Sequence, residues 1–340
     1  MARRTAARHG WEDFMDKAAT DGWSVRQILA QQGILIAFVL AMLVFGLFSD
    51  RFLAFDNIMA VLRQTGIVGV MAIGVTIVVI GGNLDLSVGS MLSMATVLVV
   101  DLHDRIGPGP AILIMFCAVL AAGAINGVLV GYLRLNSLIV TLGMLSALQG
   151  ITLIYTDGKN VDIANQSDTW FAIFGRGDIA GIPTPIVMFF GVAVLGHVLL
   201  TRMPFGRKVY ATGGNPRTAV YSGIRRGRIV FLTYLISAFT VGCSALILGS
   251  RVMGSQNNVG QGYELLVLSA VILGGTSLLG GSGNILKTVI GVLILGFIQN
   301  GLLLLGFPYY AQWLVTWVVI ILTVWLDVAS KRHSLWSPIA

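Results

Sequence analysis

Long apolar runs alternate with short polar segments along almost the whole chain. A hydrocarbon core about 30 Å thick needs about 20 apolar residues per helix, and on that measure the pattern predicts about ten membrane spans. They fall at roughly 31–48, 65–82, 86–102, 109–133, 137–155, 185–201, 229–250, 263–280, 285–306 and 309–329. The second, third and eighth are interrupted by Gly-rich polar stretches. The predicted fold class is therefore an all-α polytopic membrane protein with several helices short or interrupted. The same pattern divides the chain into an N-terminal tail (1–30), a transmembrane domain (31–329) and a C-terminal tail (330–340), and an even span count places both termini on one side.

Composition agrees with that picture. Apolar residues make up 56% of the 340 and charged residues only 11%, against about 45–50% and about 25% in soluble domains. Mean hydropathy is +0.86. The 42 glycines suit close helix packing in a bilayer. Gly123, Gly127 and Gly131 share one face of the fourth span, where simple packing inside the subunit stands against a subunit interface. Cys117 and Cys243 sit inside apolar runs and read as small buried hydrophobes, with no disulfide framework.

The net charge of +7 does not imply nucleic-acid binding, because the charges fall in the connections between spans. The connection 201–228 holds Arg202, Arg207, Lys208, Arg217, Arg225, Arg226 and Arg228 and no acid, which makes it cytoplasmic. Both tails then lie in the cytoplasm, and the polar, aromatic connection 156–184, with Asn160, Asn165, Trp170 and Phe171, lies outside as a candidate docking surface. The stretch before the first span lacks a small-residue cleavage site and reads as a retained tail.

The chain shows no engine of its own. No G-x-x-x-x-G-K-[ST] phosphate loop occurs, and Asp157-Gly158-Lys159-Asn160 lacks the upstream glycine and the hydroxyl for Mg²⁺. No H-E-x-x-H or G-x-S-x-G is present, and His9, His103, His197 and His333 are too scattered for a metal site. A conduit is the better reading, and conduits place polar groups where lipid excludes them.

The strongest such place is Gly81-Gly82-Asn83-Leu84-Asp85-Leu86-Ser87-Val88-Gly89. Two glycines and an asparagine break the helix, after which Asp85 or Ser87 caps a new one whose positive dipole end faces the break. Asp85 reads either as a helix cap in a short turn or as a pathway wall, and the two roles are compatible. A second break, Gly274-Gly275-Thr276-Ser277-Leu278-Leu279-Gly280-Gly281-Ser282-Gly283, ends the eighth span. Paired breaks in the two halves point to a transporter's working site. Glu264, after Gly260-Gln261-Gly262-Tyr263, is the one acid in that span and reads as an interfacial cap or a substrate-gate contact.

The cytoplasmic connection has its own design. Asn215-Pro216 starts a helix, with asparagine as cap and proline first, and Ser222-Gly223 stops it after about two turns. So short a helix needs something to pack on, and a cytosolic subunit would serve. Without such a partner the connection is a basic anchor only.

Together these motifs resemble the permease subunits of ribose-, xylose- and arabinose-type ABC importers. The likeness rests on GGNLDLSVG at 81–89, NSLIVTLG at 136–143, the loop from Gly206 through Gly213-Gly214-Asn215 to YSGI at 221–224, and GQGYELLVLSAVILGGTSLLGGSG at 260–283. It implies a location in the bacterial cytoplasmic (inner) membrane and a second permease copy. It further implies a separate cytoplasmic ATPase that holds ATP and Mg, and a periplasmic binding protein that delivers a sugar or polyol. No cofactor is implied for this chain. Gly82, Asn83, Asp85, Ser87, Asn136, Thr141, Glu264, Gly274 and Gly275 would line the translocation pathway. Gly206, Gly213, Gly214, Asn215, Ser222 and Gly223 would form the element that couples to the ATPase. The chain departs from the family pattern at Asn83, where a glycine is usual, at Leu266, where an aspartate is usual, and at Ser282, where an arginine is frequent. The alternative is a secondary active transporter working without an ATPase, which would bury coupling acids in mid-span. Here only Asp85 and Glu264 qualify. A branched-chain amino acid permease shares the architecture but fits the DLSVG and YSGI motifs less well.

Overall fold

The computed structural model describes residues 42–308 apart from 165, 167 and 168, together with 38–40, 310, 314, 317, 318 and 321. The expected tails 1–30 and 330–340 lie outside the described residues, as do Asn165, Asp168, most of the span 309–329 and the first part of 31–48.

Between residues 55 and 304 the α-helices in chain order are α1 (Phe55–Ile80), α2 (Val88–Ile106), α3 (Pro108–Gly127), α4 (Ser137–Thr156), α5 (Thr184–Thr201), α6 (Pro204–Gly214), α7 (Pro216–Tyr221), α8 (Arg226–Val252), α9 (Tyr263–Leu273) and α10 (Ile285–Leu304). A π-turn, Val128–Tyr132, extends α3. Two-residue strands β1 (Val161–Asp162) and β4 (Gly254–Ser255) pair antiparallel, as do β2 (Asp178–Ile179) and β3 (Ile182–Pro183), so small β-bridges decorate an otherwise helical fold.

Six helices are long and apolar enough to cross a membrane among the described residues: α1, α3 with its π-turn, α4, α5, α8 and α10. Of the apolar stretch of α1, 83% is buried, and 72% of that of α8, against 17% for α4. The two buried helices form the spine, while α4 shows most of its apolar surface outward, as a lipid-facing helix does. The spine also packs on α2, α3, α5 and α10.

The predicted spans at 109–133, 137–155, 185–201, 229–250 and 285–306 coincide with helices. The second begins about ten residues earlier than 65 because Phe55–Ile80 is one helix. The eighth span is corrected: α9 stops at Leu273, because Gly274 and Gly275 end it. At about 1.5 Å per residue its 11 residues reach about 16 Å, half a bilayer core. The third span, now α2, starts in the protein interior and is buried along most of its length. Beyond the predicted α7, the connection 201–228 holds a further helix, α6, begun by Pro204.

Gly123, Gly127 and Gly131 resolve in favour of internal packing. A Cβ at Gly123 would meet the Tyr234 carbonyl oxygen at 2.9 Å, one at Gly127 the Phe231 Cα at 2.9 Å, and one at Gly131 the Gly227 carbonyl oxygen at 2.7 Å, all on α8. Cys243 is buried on α8, whereas Cys117 lies exposed on the outer face of α3.

The segment 156–184 is fitted onto the helix ends. Phe171 is fully buried, and Ser250 Oγ accepts from the Gly175 amide (2.8 Å) while donating to the Phe171 carbonyl (2.6 Å). His103 bridges Asp104 and Thr169, each at 2.7 Å, and Asp104 accepts the Ala164 amide at 2.7 Å. The Ala164 N–H, and after it His103, hold the Asp104 carboxyl below its ordinary range. The 18 residues of α5, about 27 Å, separate this end of the molecule from α6.

Candidate functional site

The two predicted breaks are built alike. At the first, the amides of Gly81, Gly82 and Asn83 bond to the carbonyls of Ile77 (3.1 Å), Val79 (2.9 Å) and Val78 (3.2 Å). At the second, the amides of Gly274, Gly275 and Thr276 bond to those of Ala270 (2.9 Å), Ile272 (2.7 Å) and Val271 (3.2 Å). Gly82 and Gly275 carry φ of 78° and 77°, left-handed values that glycine adopts without penalty. Equivalent hydrogen bonds in two distant segments fit the paired-break architecture of transporters.

Both breaks converge on the end of α6. The Gly281 amide donates to the Ile80 carbonyl at 2.8 Å, joining the second break to the first. Gly213 sits over that junction. A Cβ there would overlap the Ile80 carbonyl oxygen and lie 2.7 Å from the Gly281 nitrogen and 3.0 Å from the Gly82 nitrogen. A Cβ on Gly280 would lie 2.6 Å from the Gly82 Cα. Three glycine pairs, 81–82, 213–214 and 280–281, thus form one knot of backbone on backbone. Tyr210, a turn earlier on α6, donates its hydroxyl to the Gly283 carbonyl at 2.8 Å, and burial pushes its phenol up, which keeps that proton in place.

Beyond Gly82 the chain runs through the interior without helix or strand until α2 begins. The Leu84 amide donates to Ser137 Oγ (3.2 Å), and its carbonyl accepts from the Tyr234 hydroxyl (2.7 Å). Asp85, 3% exposed, accepts the Ser87 hydroxyl at 2.6 Å and the Ser87 amide at 3.2 Å on Oδ1, and the Ser237 hydroxyl at 2.9 Å on Oδ2. Asn126 of α3 donates to Ser87 Oγ at 2.9 Å. Asp85 therefore caps the turn at Ser87 and ties the break to α8, and Ser87 stands at the start of α2. Asn83 is buried and donates to the Gly81 carbonyl at 3.1 Å.

The other predicted pathway residues are placed differently. Asn136 is exposed and caps α4 by accepting the Leu138 amide at 2.9 Å. Thr141 is buried and donates to the Ser137 carbonyl, one turn from the Leu84 contact. Glu264 stands in the first turn of α9; its Oε1 accepts the Gly262 amide at 3.2 Å, and its Oε2 packs against Gly89 without a hydrogen-bond partner. In the connection after α5, Gly206 is buried within α6, and Asn215 caps α7 through the Thr218 amide at 3.0 Å. Ser222 ends α7, and Gly223 has φ 80° with nothing within 4 Å of where a Cβ would stand.

Ser237, Asn126, Tyr234, Ser137 and Tyr210 went unpredicted. The α8 partners had a signal: Thr233, Tyr234, Ser237, Thr240 and Ser244 recur at helical spacing inside an apolar span, and all five are buried.

The chain has clear relatives. The family model for the permease component of the branched-chain amino acid transport system matches residues 57–324. The ribose import permease of Bacillus subtilis is 37% identical over 88% of this chain and 93% of its own length. Two permeases of Escherichia coli follow: that of the D-allose transport system at 35% over 85% of this chain and 90% of its own, and that of the L-arabinose system at 31% over 91% and 94%. No solved structure matches.

Proposed function

The chain belongs to the permease family described as branched-chain amino acid transport system permease components, and we propose that within it the chain serves a sugar or sugar-like polyol: a pentose, hexose or cyclitol. In this reading it is the membrane subunit of an ATP-driven importer in the bacterial inner membrane. It works as a pair of permease copies, with ATP and Mg on a separate cytoplasmic ATPase and with a periplasmic binding protein supplying the solute. The sugar choice rests on relatives named for ribose, allose and arabinose that cover most of the chain. The DLSVG and YSGI motifs favour the same side of the family.

The observation that carries the coupling role is the glycine knot. Helix α6 and the capped turn of α7 stand at the same end as both breaks, on the basic connection read as cytoplasmic. Contacts at the knot are backbone against backbone, so no side-chain rotamer absorbs a displacement of α6. A push from an ATPase on residues 206–224 would reach Ile80–Gly82 and Gly280–Gly281 together. Asp85, bonded to Ser237, would carry the movement onward to the α8 spine. Packed interfaces of this kind switch between discrete arrangements rather than deform smoothly.

The test is Gly223→Phe in the reconstituted complex. Its side chain enters open space at a cost of about 1–2 kcal/mol for the left-handed backbone, so insertion should survive. ATP hydrolysis should then continue while uptake falls. Normal uptake by this variant counts against the coupling role. The one observation favouring a carrier without an ATPase is the buried acid Asp85, and uphill sugar uptake by the purified chain alone would establish that reading instead.

A further inference from the structure

Between α2, α4 and the turn preceding α9 lies a cavity of about 300 Å³, at the low end of the roughly 300–1,000 Å³ typical of small-ligand sites. It stands beside the first turn of α2, just beyond Asp85 and Ser87, and the Asn257 amide ties its rim to the 156–184 segment through the Gly158 carbonyl at 2.7 Å. A solute moving from that face toward the first break would meet it.

Its lining selects a chemistry. Gln149, Asn258 and Gln261 offer amide donors and acceptors, Glu264 offers a carboxylate, and Leu145 and Leu153 supply an aliphatic wall. No basic residue lines it, so an anion would find no counter-charge. Gln149 is oriented by donating to the Asn257 carbonyl at 2.9 Å, which leaves its Oε1 to accept. Asn258 and Gln261 meet each other only at 3.5 Å, a marginal bond that a ligand hydroxyl readily replaces. Glu264 Oε2 is buried without a partner. A terminal sp²-type torsion rotates broadly, so this oxygen can turn to the cavity and accept from a hydroxyl.

Deepening the importer reading and resting on it, we propose that this cavity is a weak binding site for one neutral polyhydroxylated ring. Its hydroxyls would bond to Gln149, Asn258, Gln261 and Glu264, and its C–H face would lie on Leu145 and Leu153. The test is saturation-transfer NMR on the full chain in nanodiscs, with D-ribose, D-allose, L-arabinose and, as a zwitterionic control, L-leucine. Transfer to at least one sugar and none to leucine is expected. The double variant Asn258→Leu/Gln261→Leu should weaken it about tenfold, equivalent to ~1.4 kcal/mol. Leu145→Trp, which fills the cavity without altering a polar group, should do the same. Transfer to no sugar, preference for leucine, or unchanged transfer in both variants overturns the site. The importer reading is scored separately by ATP-dependent sugar uptake of the wild-type complex in proteoliposomes: uptake without these NMR effects sinks only the site, and no uptake of any sugar sinks the reading beneath it.

Discussion

Gly213→Ala is the sharpest perturbation of the knot. The added methyl overlaps the Ile80 carbonyl oxygen and crowds the Gly281 and Gly82 nitrogens at 2.7 and 3.0 Å. All three are backbone atoms, so relief requires moving α6 or parting the two breaks. Overpacking of this kind costs about 1–3 kcal/mol, and stretching the 2.8 Å Gly281–Ile80 hydrogen bond adds about 1 kcal/mol. The variant should therefore lose about 2–4 kcal/mol. Gly214→Ala is the matched control, since its methyl meets only the Gly281 Cα at 3.7 Å, an ordinary contact. Alanine also favours the helix by about 0.5–1 kcal/mol, so that variant should be neutral or slightly stabilised. Denaturation of the two purified variants, followed by loss of monodisperse protein on heating, reads the difference. Equal stability of the two would refute the knot as a tight backbone junction.

Asp85→Ala should destabilise by about 2–4 kcal/mol, because the Ser87 and Ser237 hydroxyls lose their acceptor in a buried site, and Asp85→Asn should be milder; denaturant midpoints check the order. Gly123→Leu should separate α3 from α8 and lower the yield of folded protein in detergent, whereas Gly143→Leu, with nothing within 4 Å, should not. For Asp104 the folded pKa lies below the unfolded one, so its contribution is present above the ordinary carboxylate range near pH 4 and is lost as pH falls through the lowered value. The protection factor of the Ala164 amide, with the intrinsic exchange rate at each pH divided out, should fall on acidification through that window, and Asp104→Asn should remove that fall.

Helices α3, α4, α5, α8 and α10 were legible because a bilayer imposes one length and one composition on each. For α9 the same measure overshot at one end: hydropathy summed across LLVLSAVILGGTSLL stays high to residue 280, while the break read at Gly274–Gly283 ends the helix at Leu273. Both breaks were visible in the residues, the first because Asn83 and Asp85 follow Gly81-Gly82 and the second because Thr276 and Ser277 follow Gly274-Gly275. Helix α6 hid behind Arg207 and Lys208, although Pro204 and the buried positions Gly206, Val209 and Gly213 mark a helix with one packed face. What no local rule supplies is pairing. Asp85 and Ser237 stand 152 positions apart, and each looks complete alone, one as a cap and the other as a small residue in an apolar span.

The knot shows the same limit from the other side. Gly81-Gly82, Gly213-Gly214 and Gly280-Gly281 each have a sufficient local explanation, as a helix stop, a helix end and a turn. Yet Gly213 has an ordinary helical backbone with no positive φ, so nothing in its own conformation demands glycine. Only the approach of Ile80, Gly82 and Gly281 does. A glycine required by its neighbours rather than by its own φ is the mark of two segments in backbone contact. Here it joins the basic connection to both interrupted segments.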